Sequence, residues 1–328
     1  MKTIFITGAS SGLGLSHAIY LSSLGYTVIG TSRHAENLDR NDLMETFLRD
    51  HAKYKFTDSA RRVVRRGEII APAELVENIT EHLKRIRFVS MDVTDEQSVK
   101  RVVDGIEATT PIDVVINNAG YAYWGTVEET SVEEAQRLFD VDFFGHVRVL
   151  QAVIPYMRAR HRGQIINTTS MAAVVGLPFC GYYAAAKAGM ERITESLYTE
   201  LKPFHILVSS LLPGDVNTSV DANMIVRHHQ GLICKSTEIG AIIDALPTPT
   251  ESPYFEPSQK VWGVFIRNHI VAPAPLMVSR RLAKIIEAKN PKIHYSSGTI
   301  QQTKVLPALK SWLPGNAFLD VVAKVFGL

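Results

Sequence analysis

Short apolar runs alternate with amphipathic stretches along the first two thirds of the chain. The runs are rich in β-branched residues, which predicts short buried strands, and they lie at 3–7, 27–31, 86–91, 113–116, 164–169 and 206–212. The longest stretches of helical character lie at 131–160 and 183–202. Strands and helices that alternate in this way predict an α/β fold with a mostly parallel sheet and helices on both faces.

A glycine-rich loop follows the first strand. It reads Gly8-Ala9-Ser10-Ser11-Gly12-Leu13-Gly14 and leads into a helical stretch at 15–24. In such a βαβ unit the glycines let the backbone approach a pyrophosphate, which the N–H groups at the start of the helix then face. The spacing differs from the commonest Gly-x-Gly-x-x-Gly fingerprint, and a tight turn without a ligand is the alternative.

Tyr183 and Lys187 lie four residues apart in a helical stretch, so their side chains share one helix face. A cation beside a phenol favours the phenolate, and we expect Lys187 to lower the pKa of Tyr183. Such a pair can exchange a proton with a carbonyl or alcohol oxygen. Tyr182 has no lysine four residues on, so the role is assigned to Tyr183.

Composition narrows the class of protein. The chain has 328 residues, 46% of them hydrophobic, which suffices for a large core, and we predict a single domain over 1–328. A net charge of +2 does not indicate a nucleic-acid surface, and two cysteines, Cys180 and Cys234, do not suggest a disulfide framework. No ligand cluster accompanies the pair His228-His229, so we predict no metal.

The chain shows no apolar run of the ~18–20 residues that a membrane span needs. Its first residues lack the shape of a signal peptide. A cytoplasmic location is the default expectation.

Five sequence motifs resemble those of the classical short-chain dehydrogenase/reductase family. They are the glycine loop from Thr7 to Gly14, Asn117-Asn118-Ala119-Gly120, Ser170, the Tyr183–Lys187 pair, and Pro213-Gly214 with Thr218 beyond it. The match is strong over 1–220 and loose in the last third. The resemblance implies a doubly wound Rossmann fold that binds a nicotinamide dinucleotide and transfers a hydride between the dinucleotide and a carbonyl or alcohol carbon.

The resemblance also assigns roles to individual residues. Tyr183 would be the general acid or base, Lys187 would also bind the nicotinamide ribose, and Ser170 would hold the substrate oxygen, although a cap or turn serine is the alternative. Asp92 would bind the adenine amino group, or could cap the next helix, whose N-cap could equally be Thr94. The other expected cofactor contacts are Gly8, Ser10, Ser11, Gly12, Leu13, Gly14, Arg33, Val93, Asn118, Ala119, Gly120, Pro213, Gly214, Val216 and Thr218.

Asp142 departs from the family pattern, because many members carry an asparagine there that joins a proton-relay water chain. An aspartate accepts hydrogen bonds but donates none unless it is protonated, and it adds negative charge near Lys187. We expect an active enzyme with an altered pH profile.

Cofactor choice depends on the end of the second strand. An acidic residue there binds the ribose 2′-hydroxyl of NAD, whereas an arginine accommodates the 2′-phosphate of NADP. The chain reads Thr31-Ser32-Arg33-His34, without a carboxylate. Arg33, with Ser10, predicts a preference for NADP(H).

Residues 34–85 form an unusually long crossover, of which about thirty residues look inserted by comparison with the family. Most of the segment is charged and helix-compatible, and Pro72 predicts a new helix start. The basic run Arg61-Arg62-Val63-Val64-Arg65-Arg66 is either a solvated helical face, which we favour, or an anion contact. In the helix at 131–160, Pro155 should cause a bend or a local break.

Residues 214–328 correspond to the family's substrate lid and a C-terminal extension. Six apolar residues could line a substrate pocket or could fill the core instead: Trp124, Phe179, Met224, Tyr254, Phe255 and Trp262. The amphipathic tail at 305–328 could extend the lid, pack on a partner or touch a membrane. In the family, the helices at 131–160 and 183–202 pair with their copies, which implies a homodimer or homotetramer.

Two functions remain open from the sequence. The first is an NADP(H)-dependent oxidoreductase that interconverts a ketone or aldehyde and an alcohol on a large apolar substrate, because the pattern loosely resembles the hydroxysteroid and retinol dehydrogenase branch. The alternative is a non-catalytic dinucleotide-binding sensor. Such sensors usually lose the tyrosine or lysine, both of which are present here.

Overall fold

The computed structural model describes residues 1–56, 63–69, 71–218, 225–226, 252–270 and 272–328. Within these ranges the strands are β1 (Thr3–Ile6), β2 (Thr27–Ser32), β3 (Ala52–Phe56), β4 (Val63–Ile69), β5 (Arg87–Ser90), β6 (Val114–Asn117), β7 (Tyr123–Trp124), β8 (Gly163–Thr168), β9 (Ile206–Pro213), β10 (Ile225–Val226) and β11 (His294–Ser297). The α-helices are α1 (Gly12–Ser23), α2 (Arg40–Asp50), α3 (Ala73–Glu77), α4 (Ile79–Arg85), α5 (Glu96–Glu107), α6 (Val132–Phe139), α7 (His146–Ala159), α8 (Gly181–Glu200), α9 (Phe255–Ile270), α10 (Leu276–Glu287), α11 (Leu306–Trp312) and α12 (Gly315–Val325).

Seven strands form one parallel sheet in the order β11-β9-β8-β6-β1-β2-β5. The chain runs from β1 outward to β2 and β5, and then returns to the other side of β1 to form β6. This reversal is the topological switch point beside which doubly wound folds bind ligands, at the carboxyl ends of the strands. The predicted α/β class is confirmed, and all six predicted strands lie in this sheet.

A separate apolar core covers each face of the sheet. On one face, buried side chains of α1, α2, α4 and α10 pack against β1, with Ile4, Ile19 and Ile285 fully buried. On the other face, α5, α7 and α8 pack against β1 and β6 through residues such as Phe5 and Met190. Strands covered on both faces read as continuous apolar runs, which is why the sequence pattern located them. Within the described ranges, no helix has the length and apolar character needed to cross a bilayer.

The long crossover contains more than the predicted helices. Helix α2 begins after Asp39, whose side chain accepts hydrogen bonds from the first helical N–H groups, and α3 begins after Pro72 as predicted. Between them, however, β3 and β4 pair as an antiparallel hairpin. The prediction of a helical face for the basic run is therefore wrong, because its residues from Val63 onward form β4. The β-branched residues Val63, Val64 and Ile69 favour a strand over a helix. Arg61 and Arg62 lie outside the described residues, as do Met224, His228, His229 and Cys234.

The predicted helix at 131–160 is interrupted, but not where the sequence indicated. Ser131 and Glu134 form a capping box that starts α6, and a π-helical turn over Asp140–Gly145 joins α6 to α7. Helix α7 runs through Pro155, so the predicted local break is wrong, and the alternative of a bend stays a prediction. The carbonyl that Pro155 leaves without an N–H belongs to Gln151, an exposed residue that water can reach. Turns of the π type are frequent at functional sites.

Three buried histidines make stability depend on pH. Burial lowers the pKa of His17 and His146 to about 3 and that of His51 to about 4. The unfolded chain takes up these protons below pH 6.5 and the folded chain does not, so stability falls as the pH drops through that window. We expect each histidine to remove about 2 kcal/mol of unfolding free energy at pH 5. Urea denaturation at pH 7 and pH 5 measures this loss. His17→Asn should reduce it, and His34→Asn at an exposed position should leave it unchanged; equal losses in both variants would contradict the assignment.

Candidate active site

The glycine loop is shaped by close backbone approaches. Gly8 has φ +66° and Gly12 has φ +52°, in the left-handed region that favours glycine. A Cβ on Gly8 would lie 2.9 Å from the Ala119 Cα, and one on Gly14 would collide with the Gly8 carbonyl oxygen. The glycine loop after β1 is thus brought against Ala119, which follows β6. This tight cradle, open above the start of α1, fits the close approach of a pyrophosphate.

Thr7 connects the glycine loop to the Asn118-Ala119-Gly120 loop, a role that the sequence did not indicate. Its hydroxyl oxygen accepts hydrogen bonds from the N–H groups of Asn118 and Ala119, at 2.8 and 2.9 Å. The Asn118 side chain in turn donates to the Thr7 and Gly8 carbonyl oxygens. The Asn-Ala-Gly segment is thereby fixed beside the glycine loop.

Tyr183 and Lys187 lie on helix α8 with the lysine ammonium 5.7 Å from the centre of the tyrosine ring. Ser170 follows β8, where its side chain accepts a hydrogen bond from the Ala172 N–H at 3.1 Å. The Ser170 side chain also lies close enough to the Tyr183 phenol to lower the pKa of that phenol. The three side chains predicted to act together therefore meet at the carboxyl edge of the sheet, and the cap role of Ser170 coexists with this contact.

Asp142 forms an ion pair with Lys187, and both side chains are buried. The Asp142 carboxylate lies 2.8 Å from the Lys187 ammonium and accepts a hydrogen bond from the Tyr121 N–H at 3.0 Å. Gly120 passes so close that an added Cβ would lie 2.8 Å from the carboxylate and 3.1 Å from the ammonium. The π-helical turn carries Asp142 into this position, so the expected negative charge beside Lys187 is present.

The charges of this group set its proton affinities. Burial raises the pKa of Tyr183; the Lys187 charge opposes this rise and the Asp142 charge reinforces it. For Lys187, burial favours the neutral amine, but the charges of Asp142 and Tyr183 outweigh it and the pKa is raised. Lys187 lowers the pKa of Tyr183 as expected, but burial, reinforced by the Asp142 charge, outweighs this effect, so the net shift of the pKa is upward. Tyr183 keeps its proton at neutral pH and can act as an acid.

His146 is a further member of the site that the sequence analysis missed. Its Nε2 lies 2.7 Å from the Ala119 carbonyl oxygen, and burial followed by the Lys187 charge keeps it neutral. The Asn117 amide donates to the His146 carbonyl oxygen and to the Asn167 side chain. The position of His146 four residues after Asp142 could have indicated a shared helix face.

Glu191 connects α8 to the strands beneath it and was also missed. Its buried carboxylate accepts hydrogen bonds from the Thr169 and Ser210 hydroxyls and lies 2.9 Å from His294 Nδ1. Thr169 directly precedes Ser170, so this contact fixes the end of β8 against the helix that carries Tyr183. Glu191, Glu195 and His294 have ligand atoms within 4.8 Å of one another, a spacing that could hold a cation. The two hydroxyl hydrogen bonds already account for both Glu191 oxygens.

The predicted adenosine-side residues lie at the ends of β2 and β5. Arg33 is exposed just beyond β2, and Ser10 is half-buried in the glycine loop. Asp92 accepts hydrogen bonds from the Thr94 N–H and hydroxyl. The N-cap of α5 is Asp95 rather than Asp92 or Thr94. Val93 is buried against Gly145.

The expected cofactor contacts Pro213, Gly214, Val216 and Thr218 lie at the end of β9 and just after it. Pro213 ends the strand, and the Gly214 N–H donates to the Ser297 carbonyl oxygen at 2.8 Å. Val216 and Thr218 are buried.

Cys180 lies directly before helix α8 and is half-buried. Burial, followed by the Asp215 charge, raises the pKa of its thiol to about 12. A thiol with so high a pKa is a poor nucleophile at neutral pH, in line with the expected wall position.

An aromatic cluster lies beside the start of α8. Trp124 stacks on Phe179 at 5.7 Å and meets Trp262 edge-on at 4.9 Å, and Phe179 contacts Tyr254 at 6.4 Å. Phe265, which the sequence analysis did not select, stacks on Trp262 at 5.3 Å. Phe179 has φ +61°, a strained conformation for a bulky residue that aims its ring at Trp124. Among the described ring contacts, Phe255 makes none.

The C-terminal helices extend this wall. Phe318 and Val322 of α12 pack against Val175, in the segment between Ser170 and Tyr183, and side chains of α11 join them. The tail thus packs against the segment between Ser170 and Tyr183, and its expected roles in extending the lid, packing on a partner or contacting a membrane stay predictions.

Replacing Asp142 tests its influence on Tyr183. The variant Asp142→Asn removes a negative charge that raises the Tyr183 pKa, so that pKa should fall. In the direction of carbonyl reduction the protonated phenol is needed, and activity is lost as the pH rises through its pKa. The loss should therefore begin at lower pH in the variant than in the wild type. Superimposable pH–rate curves would contradict the proposed influence, and an Asp140→Asn variant controls for a charge change outside the site.

Comparisons with known proteins match this chain to short-chain dehydrogenases. The family model for "short chain dehydrogenase" matches residues 48–228, more than half of the chain. A 3-ketodihydrosphingosine reductase from Bacteroides thetaiotaomicron is 29% identical over 96% of this chain and 94% of its own length. Retinol dehydrogenase 8 from Bos taurus is 27% identical over 96% and 87%.

Solved structures share the fold. A short-chain dehydrogenase from Streptomyces avermitilis superposes with a TM-score of 0.63 at 22% identity, covering 99% of this chain and 92% of its own. An alcohol dehydrogenase from Thermococcus sibiricus, complexed with 5-hydroxy-NADP, superposes with a TM-score of 0.59 at 18% identity, covering 92% and 97%. The sequence motifs, the parallel sheet and the family match agree, and the chain belongs to the short-chain dehydrogenase family.

Proposed function

We propose that this protein is an NADP(H)-dependent oxidoreductase that interconverts a ketone or aldehyde and an alcohol on a large, apolar, lipid-like substrate. The observation that carries the proposal is the convergence of Ser170, Tyr183 and Lys187 beside the loops that would hold the dinucleotide. A bound NADP(H) supplies or accepts the hydride.

The side chains have distinct tasks in the reduction direction. Ser170 donates a hydrogen bond to the carbonyl oxygen and holds it near Tyr183. When a hydride adds to the carbonyl carbon, the C=O π electrons move to the oxygen, and Tyr183 transfers its proton there to give the alcohol. Lys187 stabilises the resulting phenolate, and Asp142 keeps Lys187 charged. The raised Tyr183 pKa suits this direction at neutral pH, because the phenol stays protonated.

The substrate class is supported by the aromatic cluster and by the relatives. Phe179 and Tyr254 offer half-buried aromatic surface next to the helix that carries Tyr183, packed on the buried Trp124. Two relatives that match over nearly the full chain are named for a ketone on a long-chain base and for retinol. Long apolar carbonyl compounds, such as 3-keto sphingoid bases and retinoids, are therefore the first compounds to test.

The preference for NADP(H) over NAD(H) is assigned to Arg33. Its exposed guanidinium at the end of β2 can form two parallel hydrogen bonds to a 2′-phosphate. In Arg33→Asp we expect the ratio of kcat/KM for NADPH to that for NADH to fall by about tenfold or more, since each lost charge-assisted bond removes ~1.5–3 kcal/mol. Arg87→Asp at an exposed position on β5 controls for net charge. Equal use of both cofactors by the wild type would overturn the assignment.

The functional test measures NADPH oxidation against ketones, aldehydes, 3-keto sphingoid bases and retinoids. The proposal predicts turnover of at least one long-chain compound and little turnover of short-chain ketones. The alternative function, a dinucleotide-binding sensor, predicts tight NADPH binding without turnover of any of them. A cytoplasmic location and a homodimer or homotetramer complete the proposal; light scattering measures the oligomeric state.

A further inference from the structure

A cationic groove lies outside the catalytic cleft, between helix α10 and the end of strand β11. Its volume is about 510 Å³. Arg280, Arg281 and Lys284 border it from α10, Ser297 from β11, and Thr303 and Lys304 from the segment after β11. A groove of this size can hold a small molecule or the head group of a larger one.

The four cations of this groove converge from two elements. Arg280, Arg281 and Lys284 share one face of α10, while Leu282 and Ile285 on the opposite side are buried in the core. Lys304 faces them across the groove. Among the described residues, none of the four forms an ion pair, and the groove lining contains no aspartate or glutamate. Like charges held this close repel one another, and an anion placed between them removes that repulsion.

Ser297 supplies an uncharged donor on the floor of the groove. The residue is 5% exposed and borders the groove. Its hydroxyl can donate a neutral hydrogen bond to a ligand oxygen, in addition to the four charges.

The groove is separate from Arg33 and adjoins a different expected cofactor contact, Gly214, whose N–H donates to the carbonyl oxygen of the groove residue Ser297. Arg33, to which the 2′-phosphate is assigned, follows β2, and four strands lie between β2 and β11 in the sheet. On the side toward the catalytic residues, Gln302 hydrogen-bonds to Asp215 and closes the space beside Gly214. A ligand in the groove would therefore be an additional ligand.

The geometry points to a binding site for a phosphate group in this groove. Two arginines can each present parallel N–H donors to phosphate oxygens, and the lysines add point charges around a doubly charged anion. The phosphate can belong to free inorganic phosphate or to the head group of a phospholipid. A phospholipid would leave its acyl chains outside the groove, and Met277 in the groove lining supplies apolar contact.

The test is isothermal titration of the full chain, saturated with NADPH so that the start of α1 is filled. The probes are inorganic phosphate and monomeric dihexanoyl phosphatidic acid. The test variant is Arg281→Gln/Lys284→Gln, and the control variant is Arg87→Gln/Arg101→Gln, which removes two exposed charges elsewhere. Circular dichroism verifies that both variants are folded.

We expect the wild type and the control to bind at least one probe equally, and the test variant to bind about tenfold more weakly or worse. Tighter binding of phosphatidic acid than of phosphate assigns the site to a lipid head group, and equal affinity assigns it to phosphate itself. The proposal is overturned if the wild type binds neither probe, if the test variant binds as well as the wild type, or if both variants lose affinity equally.

Discussion

Tyr183→Phe should lower kcat for carbonyl reduction by about 10²–10⁴-fold, the range typical of the loss of a positioned general acid. The substitution removes only the phenol oxygen, whose pKa is influenced by Ser170 and by the charge of Lys187. NADPH affinity should change little, because the glycine loop and Arg33 are untouched. Stopped-flow reduction and fluorescence titration of NADPH measure the two quantities.

The neighbouring tyrosine gives a matched control. Among the described residues, the Tyr182 hydroxyl donates to the Val127 carbonyl oxygen at 3.4 Å, in an exposed hydrogen bond. Tyr182→Phe should leave kcat within about twofold of the wild type, because the loss of a weak surface hydrogen bond has little effect. If Tyr182→Phe is inactive and Tyr183→Phe is active, the general acid has been assigned to the wrong residue.

Gly14→Ala should both destabilise the protein and impair NADPH binding. The added methyl group would overlap the Gly8 carbonyl oxygen and lie 2.6 Å from the Asn118 side-chain nitrogen. The Gly8 carbonyl is part of the backbone and cannot rotate away as a flexible side chain can, so the loop itself must shift. We expect a loss of about 1–3 kcal/mol or more in unfolding free energy. Urea denaturation and NADPH titration are the measurements.

Gly105 in helix α5 is the control for this substitution. Nothing lies within 4 Å of a Cβ added there. Gly105→Ala should be neutral or stabilising by up to about 1 kcal/mol, as expected for alanine in place of glycine in a helix. Similar effects of both substitutions would show that the close approach at Gly14 is not what the loop requires.

The sequence located the sheet and the catalytic group because both follow simple periodicities. Strands buried on both faces give apolar runs, and Tyr183 and Lys187 share a helix face at a spacing of four. Ser170 was found through the family resemblance rather than through spacing alone. Its contact with Tyr183 depends on where β8 ends.

Other features depend on tertiary contacts that no local pattern contains. The Lys187–Asp142 ion pair requires the π-helical turn, and the sequence indicated an interruption at Pro155 instead. Lys187 lowers the pKa of Tyr183 as the spacing predicted, but the net rise of that pKa comes from burial, which the spacing does not reveal. Glu191 and His146 lie in helices where nothing distinguishes them until the neighbouring strands are placed.

Deuteride transfer tests the central claim most directly. Wild-type protein is incubated with NADPH carrying deuterium at the reactive nicotinamide carbon and with the long-chain carbonyl compounds, and the alcohol products are analysed by mass spectrometry. The account predicts one deuterium on the former carbonyl carbon in the wild type, and a rate lower by about 10²–10⁴-fold in Tyr183→Phe. A wild type that binds NADPH tightly but transfers no deuterium to any compound would contradict it, as would an undiminished rate in Tyr183→Phe.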